Sequence, residues 1–129
     1  MVRHYAQCVA VVDDDASVRE AIDGLLRSAG LRVAAFGSAE EFLQLADSRA
    51  VGCLILDLRL PGMDGLALQR QLARQRSRLP VVVLTSHGDE SVAKQAVEAG
   101  AVAILAKPFD GDMLIRLVKA VCVADSDHT

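Results

Sequence analysis

Cys53-Leu54-Ile55-Leu56-Asp57-Leu58-Arg59-Leu60-Pro61-Gly62-Met63-Asp64-Gly65 opens as a short apolar run, halts at a carboxylate and continues as a loop with one Pro and two Gly. A short apolar run bounded by such breakers reads as a buried strand. The same grammar recurs on both sides of it. Val9-Ala10-Val11-Val12 ends at Asp13 and Asp14, Val81 to Leu84 ends at Thr85, and Val102 to Ala106 ends at Lys107. If these runs are neighbouring parallel strands, their ends fall on one edge of a sheet and the polar residues converge.

Between the runs lie stretches of helical period. Ser17-Val18-Arg19-Glu20 reads as a capping box, followed by Val18, Ile22, Leu25, Leu26 and Ala29 on one face as far as Gly30. Leu31 to Phe36 is expected to be the second strand. Ser38-Ala39-Glu40-Glu41 is a second capping box, opening a helix with Ala39, Phe42, Leu43 and Ala46 inward and ending near Arg49. The third helix directs Leu68 and Leu72 to the core. Asp89 is expected to cap a fourth helix through Val92, Ala96 and Val97, stopped by Gly100. A fifth, from Gly111 to about Val123, sets Met113, Leu114, Leu117, Val118 and Val121 on one face.

Strand and helix therefore alternate five times, which predicts an α/β, flavodoxin-like, doubly wound (βα)5 fold with a five-stranded parallel sheet in the order 2-1-3-4-5. Right-handed crossovers then place helices on both faces. The first and third strands are adjacent where the winding reverses, and ligands of such sheets bind at that gap. Asp13, Asp14 and Asp57 end those two strands.

Composition agrees with one globular domain. The chain has 129 residues, 52% hydrophobic and 24% charged, with aromatics at only 3%, so the core must be built from Val, Leu, Ile and Ala. The net charge of −3 offers no footprint for nucleic acid. The one basic cluster, Arg70, Arg74, Arg76 and Arg78, contains no aromatic residue and reads as a solvated helix end. Cys8, Cys53 and Cys122 lack metal-type spacing and read as small core hydrophobes in a reduced compartment. No leader pattern or apolar run of membrane-spanning length occurs, and the expected location is the cytoplasm, away from membranes.

Three carboxylates at one strand edge repel one another unless a cation compensates them. Oxygen ligands suit Mg²⁺, with Mn²⁺ as a substitute, whereas no Cys or His is spaced for zinc. One carboxylate can then attack a phosphoryl donor in line and become an acyl phosphate, and Asp57, ahead of the Pro-Gly loop, is the candidate nucleophile. Lys107 and Thr85 supply charge and a hydrogen bond to phosphoryl oxygen. Asp15 and Asp64 read instead as caps of the first and third helices.

Together the motifs Val11-Val12-Asp13-Asp14-Asp15, Leu56 to Gly65, Leu84-Thr85-Ser86-His87 and Lys107-Pro108-Phe109 resemble the receiver domains of bacterial two-component response regulators. Residues 1–129 would then be a single receiver domain, with its core from about Cys8 to Val123 and short polar tails. The resemblance implies that Asp57 accepts phosphate from the phosphohistidine of a sensor histidine kinase or phosphotransfer protein. It implies Mg²⁺ bound by Asp14, Asp57 and the Arg59 backbone carbonyl, with Asp13 acting mainly through water. Thr85 would be the switch hydroxyl, Lys107 the phosphate-binding ammonium and Lys107-Pro108 a cis bond aiming the lysine inward. Such a chain catalyses only its own phosphorylation and dephosphorylation.

Arg59 and His87, two residues beyond Asp57 and Thr85, occupy positions that tune phosphoryl lifetime in this family. Ile104 stands where many receivers carry an aromatic switch residue, so a Tyr or Phe gate is absent. The resemblance places output on helix 4, strand 5 and helix 5, acting on an output domain, on a downstream protein or by homodimerisation. Leu84 to Asp89 has the style of receivers attached to helix-turn-helix transcription regulators. A stand-alone phosphorelay intermediate or a constitutive binding receiver is the alternative. An aspartyl phosphatase would want an acid-base aspartate where Arg59 stands, and a dinucleotide fold would want G-x-G-x-x-G after the first strand.

Overall fold

A computed structural model describes residues 8–46, 50–75 and 77–126, with side chains of the last helix described as far as Cys122. The elements alternate as β1 (Cys8–Val12), α1 (Ala16–Ser28), β2 (Val33–Phe36), α2 (Ala39–Leu45), β3 (Val51–Asp57), α3 (Gly65–Arg74), β4 (Val81–Thr85), α4 (Glu90–Glu98), β5 (Ala103–Ala106) and α5 (Gly111–Ser126). All strand pairs are parallel, in the order β2-β1-β3-β4-β5. The expected flavodoxin-like topology is the one observed.

Because β1, β3 and β4 are covered on both faces, they are apolar up to the polar residues Asp57 and Thr85 that end β3 and β4, and alternate side chains enter two separate cores. Ala10, Val12, Leu54, Leu56 and Val83 pack with Phe42, Leu68 and Ala96 beneath α2, α3 and α4. Val9, Val11, Cys53, Ile55, Val82 and Leu84 pack with Ile22, Leu26, Leu114 and Val118 beneath α1 and α5. Each fully buried aliphatic side chain contributes about 1.5–3 kcal/mol through removal from water. Phe36 and Phe42 form a T-shaped aromatic pair, 5.6 Å between centroids.

The local signals are corrected at several points. Asp15, not Ser17, is the N-cap of α1: its side chain accepts the Ser17 N–H, which places Ser17 inside the first turn. Ser38 does cap α2, accepting from Glu41 N–H, but the Glu41 carboxylate reaches back to Gly37 N–H instead of Ser38. Asp64 caps α3 through Ala67 N–H. α2 ends at Leu45, and Arg49, its expected limit, lies outside the described residues, as does Arg76.

β2 starts two residues late because Leu31 N–H is still engaged with Leu26 O at the end of α1. β3 starts two residues early because Val51 pairs with Cys8. Helix α5 runs to Ser126 instead of stopping near Val123, since Ala124, Asp125 and Ser126 include no helix breaker. Met113 is 42% exposed, and Ile115, partly buried, packs against the core that holds Leu114 and Val118. No helix among the described residues is long and apolar enough to cross a membrane.

Candidate functional site

Register brings the polar ends together. Val12 lies opposite Leu56, Asp57 opposite Leu84 and Thr85 opposite Ala106, so Asp13, Asp57, Thr85 and Lys107 finish at one edge of the sheet. Asp13, Asp57 and Thr85 are buried, whereas Asp14 is exposed beside them. One carboxylate oxygen from each of Asp13, Asp14 and Asp57 lies within 4.8 Å of the others.

Lys107 closes this group. Its Nζ donates to Asp13 Oδ2 at 3.0 Å and to Asp57 Oδ2 at 3.2 Å, joining residues 94 and 50 positions away. The remaining oxygens are also engaged: Asp13 Oδ1 accepts Asp15 N–H and Asp57 Oδ1 accepts Arg59 N–H. The Lys107–Pro108 peptide is cis, as the resemblance implied. Arg19, which the motifs did not single out, donates from α1 to the Asp13 carbonyl at 2.7 Å. Its signal in the sequence was only a charged residue one turn inside a helix, which is commonplace.

Burial pushes the Asp57 carboxyl above its ordinary range and the Asp13 charge adds to this, while Arg59 N–H and Lys107 oppose it. Burial pushes Lys107 the other way, but its hydrogen bonds to Asp13 and Asp57 and their charges outweigh that, leaving the ammonium above its ordinary value. Three carboxylates against one ammonium leave the edge negative. An all-oxygen donor set of this compactness, with a buried pair whose repulsion raises Asp57, fits a hard divalent cation.

Thr85 lines a groove of about 320 Å³ with Ser86, His87, Asp89 and Lys107. His87 is exposed at its rim. Asp89 stands at the N-cap position of α4 but makes no side-chain bond to that helix, contrary to expectation. It is instead bound by the Arg59 guanidinium and by Ser86 N–H. Gly65 allows α3 to start against the site: a Cβ there would run into the Asp57 carbonyl oxygen and stand 2.7 Å from Leu58 Cα.

Residues 9–119 match the family model described as the response regulator receiver domain. The chain belongs to that family. Nodulation protein W of Bradyrhizobium diazoefficiens is 44% identical over 117 residues, which are 91% of this chain and 52% of the relative. The transcriptional regulatory protein FixJ of the same organism is 38% identical over 112 residues, 87% of this chain and 55% of the relative. The solved response regulator StyR superposes with a TM-score of 0.86 at 41% identity, covering 95% of this chain and 62% of that one. The receiver thus spans about half the length of the curated relatives it matches. Its family is a signalling module, and its acidic edge with Lys107 is the family's characteristic site.

Proposed function

We propose that this receiver is a phosphorylation-controlled switch in which Asp57 takes a phosphoryl group from the phosphohistidine of a histidine kinase or phosphotransfer protein. The carrying observation is Asp57 itself, a buried carboxylate at a strand end with Oδ1 on Arg59 N–H and Oδ2 on Lys107, beside Asp13 and Asp14. One Asp57 oxygen attacks phosphorus, the phosphorus–nitrogen bond breaks, and the imidazole departs with its electron pair. Attack needs the deprotonated carboxylate, so no separate general base is required.

Asp13, Asp14 and Asp57, with the Arg59 backbone carbonyl, would hold Mg²⁺, or Mn²⁺ in its place, and Asp13 would act mainly through water. The bound ion supplies charge neutralisation for the phosphoryl oxygens. Lys107 turns from the Asp57 carboxylate to a phosphoryl oxygen, keeping Asp13 as its second partner. The Thr85 hydroxyl, at the end of the adjacent strand, donates to another phosphoryl oxygen and draws the β4–α4 loop with it. Output then passes through α4, β5 and α5, with Ile104 in place of an aromatic gate, to an output domain, a downstream protein or a second copy. The relatives' greater length and FixJ's role in transcription favour an attached output domain. The expected location is the cytoplasm, where such kinases present phosphohistidine.

Incubation with Mg²⁺ and acetyl phosphate, read by intact mass and sedimentation, tests this reading. A gain of one phosphoryl group, absent from Asp57→Ala, is the expected result. No gain, with no binding of beryllofluoride either, contradicts it.

A further inference from the structure

Two loops at the site are tied by a pair of opposite charges. Arg59 Nε donates to Asp89 Oδ1 at 2.7 Å, and a terminal guanidinium nitrogen reaches the same oxygen. Asp89 Oδ2 accepts Ser86 N–H at 2.8 Å. The Asp89 side chain is 1% exposed and that of Arg59 66%. Both Asp89 oxygens are thus committed to the loops, and none caps the first amides of α4, although Asp15 and Asp64 cap α1 and α3 from the same position.

Arg59 is attached to the site at its other end. Its backbone N–H holds Asp57 Oδ1 at 3.0 Å, while its guanidinium is turned to a residue 30 positions away. An arginine two residues from an aspartyl phosphate is a natural partner for phosphoryl oxygens, because its planar fork of donors matches them. Here that fork is already engaged.

We propose that Asp89 is a positioning residue that holds the Arg59 guanidinium away from Asp57, and that a phosphoryl group on Asp57 competes with Asp89 for it. The proposal rests on Asp57 being the phosphoacceptor. Transfer of Arg59 to the phosphoryl group frees the Asp89 carboxylate to turn inward and cap α4, as Asp15 and Asp64 do for their helices. One arginine thereby links the phosphoryl group to the start of the helix that leads the output face. Linkage makes the relation reciprocal: whatever the Arg59–Asp89 pair contributes to the free state is subtracted from affinity for the phosphoryl group.

The test is beryllofluoride affinity in Mg²⁺ by fluorine NMR titration of the whole chain. It compares the parent with Asp89→Ser, Arg59→Met and the double variant. Serine retains a side chain able to cap α4. Asp89→Ser is expected to tighten binding at least about fivefold, the lower end of coupling between linked sites. In the Arg59→Met background the same substitution is expected to change affinity by no more than about twofold, the limit for uncoupled positions. Equal tightening in both backgrounds, which simple removal of a negative charge would produce, overturns the proposal, as does no tightening in either.

A second readout needs no variant. Hydrogen exchange at the Ser91 and Val92 amides slows on beryllofluoride binding if Asp89 turns to cap them, and unchanged exchange overturns that release. Failure of the parent to bind beryllofluoride or gain phosphate from acetyl phosphate would instead remove the assignment of Asp57.

Discussion

Asp57 is the residue whose chemistry and stability conflict. Its carboxyl lies above the ordinary range because burial and Asp13 disfavour the charge, so the folded state holds the proton more tightly than the unfolded chain does. Stability contributed by that proton is present below the ordinary carboxylate range and is lost as pH rises through the raised folded value. Asp57→Asn is therefore expected to stabilise the receiver at pH 7 without divalent cation, read as a melting temperature above the parent's. The difference should shrink below about pH 4, where both side chains are neutral; a pH-independent difference, or none, would contradict it. Asp89 behaves oppositely. The Arg59 hydrogen bond and Ser86 N–H hold its carboxyl below the ordinary range, so its contribution is complete above about pH 4 and is lost only on further acidification.

Helices reach the site through specific contacts, and two substitutions separate close approach from orphaned polarity. Gly65→Ala would put a methyl group against the Asp57 carbonyl and Leu58 Cα, both backbone and neither able to swing aside. It should cost about 1–3 kcal/mol by overpacking and also weaken divalent-ion binding, because α3 and the strand end must separate. An unchanged denaturation midpoint would exclude that contact. One turn further along α3, Gln69 is 3% exposed and donates to the Ala96 carbonyl of α4, but its own Oε1 finds no partner among the described residues. Ala96 O also accepts Ala101 N–H, so loss of the amide leaves no carbonyl stranded. Gln69→Leu should thus be neutral or stabilising by about 1 kcal/mol, since it removes an unsatisfied buried oxygen. A loss above about 2 kcal/mol in urea unfolding would show that the Gln69 bond outweighs its orphaned atom.

For the molecule as a whole, the acidic edge links fold stability to ligand. Mg²⁺ binding only the folded chain should add about 2.7 kcal/mol at a concentration 100-fold above its dissociation constant. The melting temperature should rise with Mg²⁺ in the parent and fail to rise in Asp13→Asn/Asp14→Asn; equal rises would place the ion elsewhere. Much of this arrangement is legible in the residue order. Apolar runs ending in Asp13, Asp57, Thr85 and Lys107 specify both the strands and the edge, because a parallel sheet brings all its carboxyl ends to one side. Asp15, Ser38 and Asp64 are readable as caps because a cap bonds to amides two or three residues on. The reach of each helix was less legible: α5 passes Val123, and Met113 faces solvent while Ile115 packs inward, since helical period gives a stripe but not its angle to the sheet. What the sequence alone determined is therefore the alternation, the strand order and the identity of the edge residues, all set by local pattern and chain connectivity. What only the tertiary structure decided is partner choice between distant groups: Lys107 bridging Asp13 and Asp57, Arg19 on the Asp13 carbonyl, and Asp89 drawn from its helix to Arg59. Local pattern ranks a carboxylate's nearby amides, but a charged guanidinium is a stronger donor to it than a helix amide, and only the assembled fold brings one within reach.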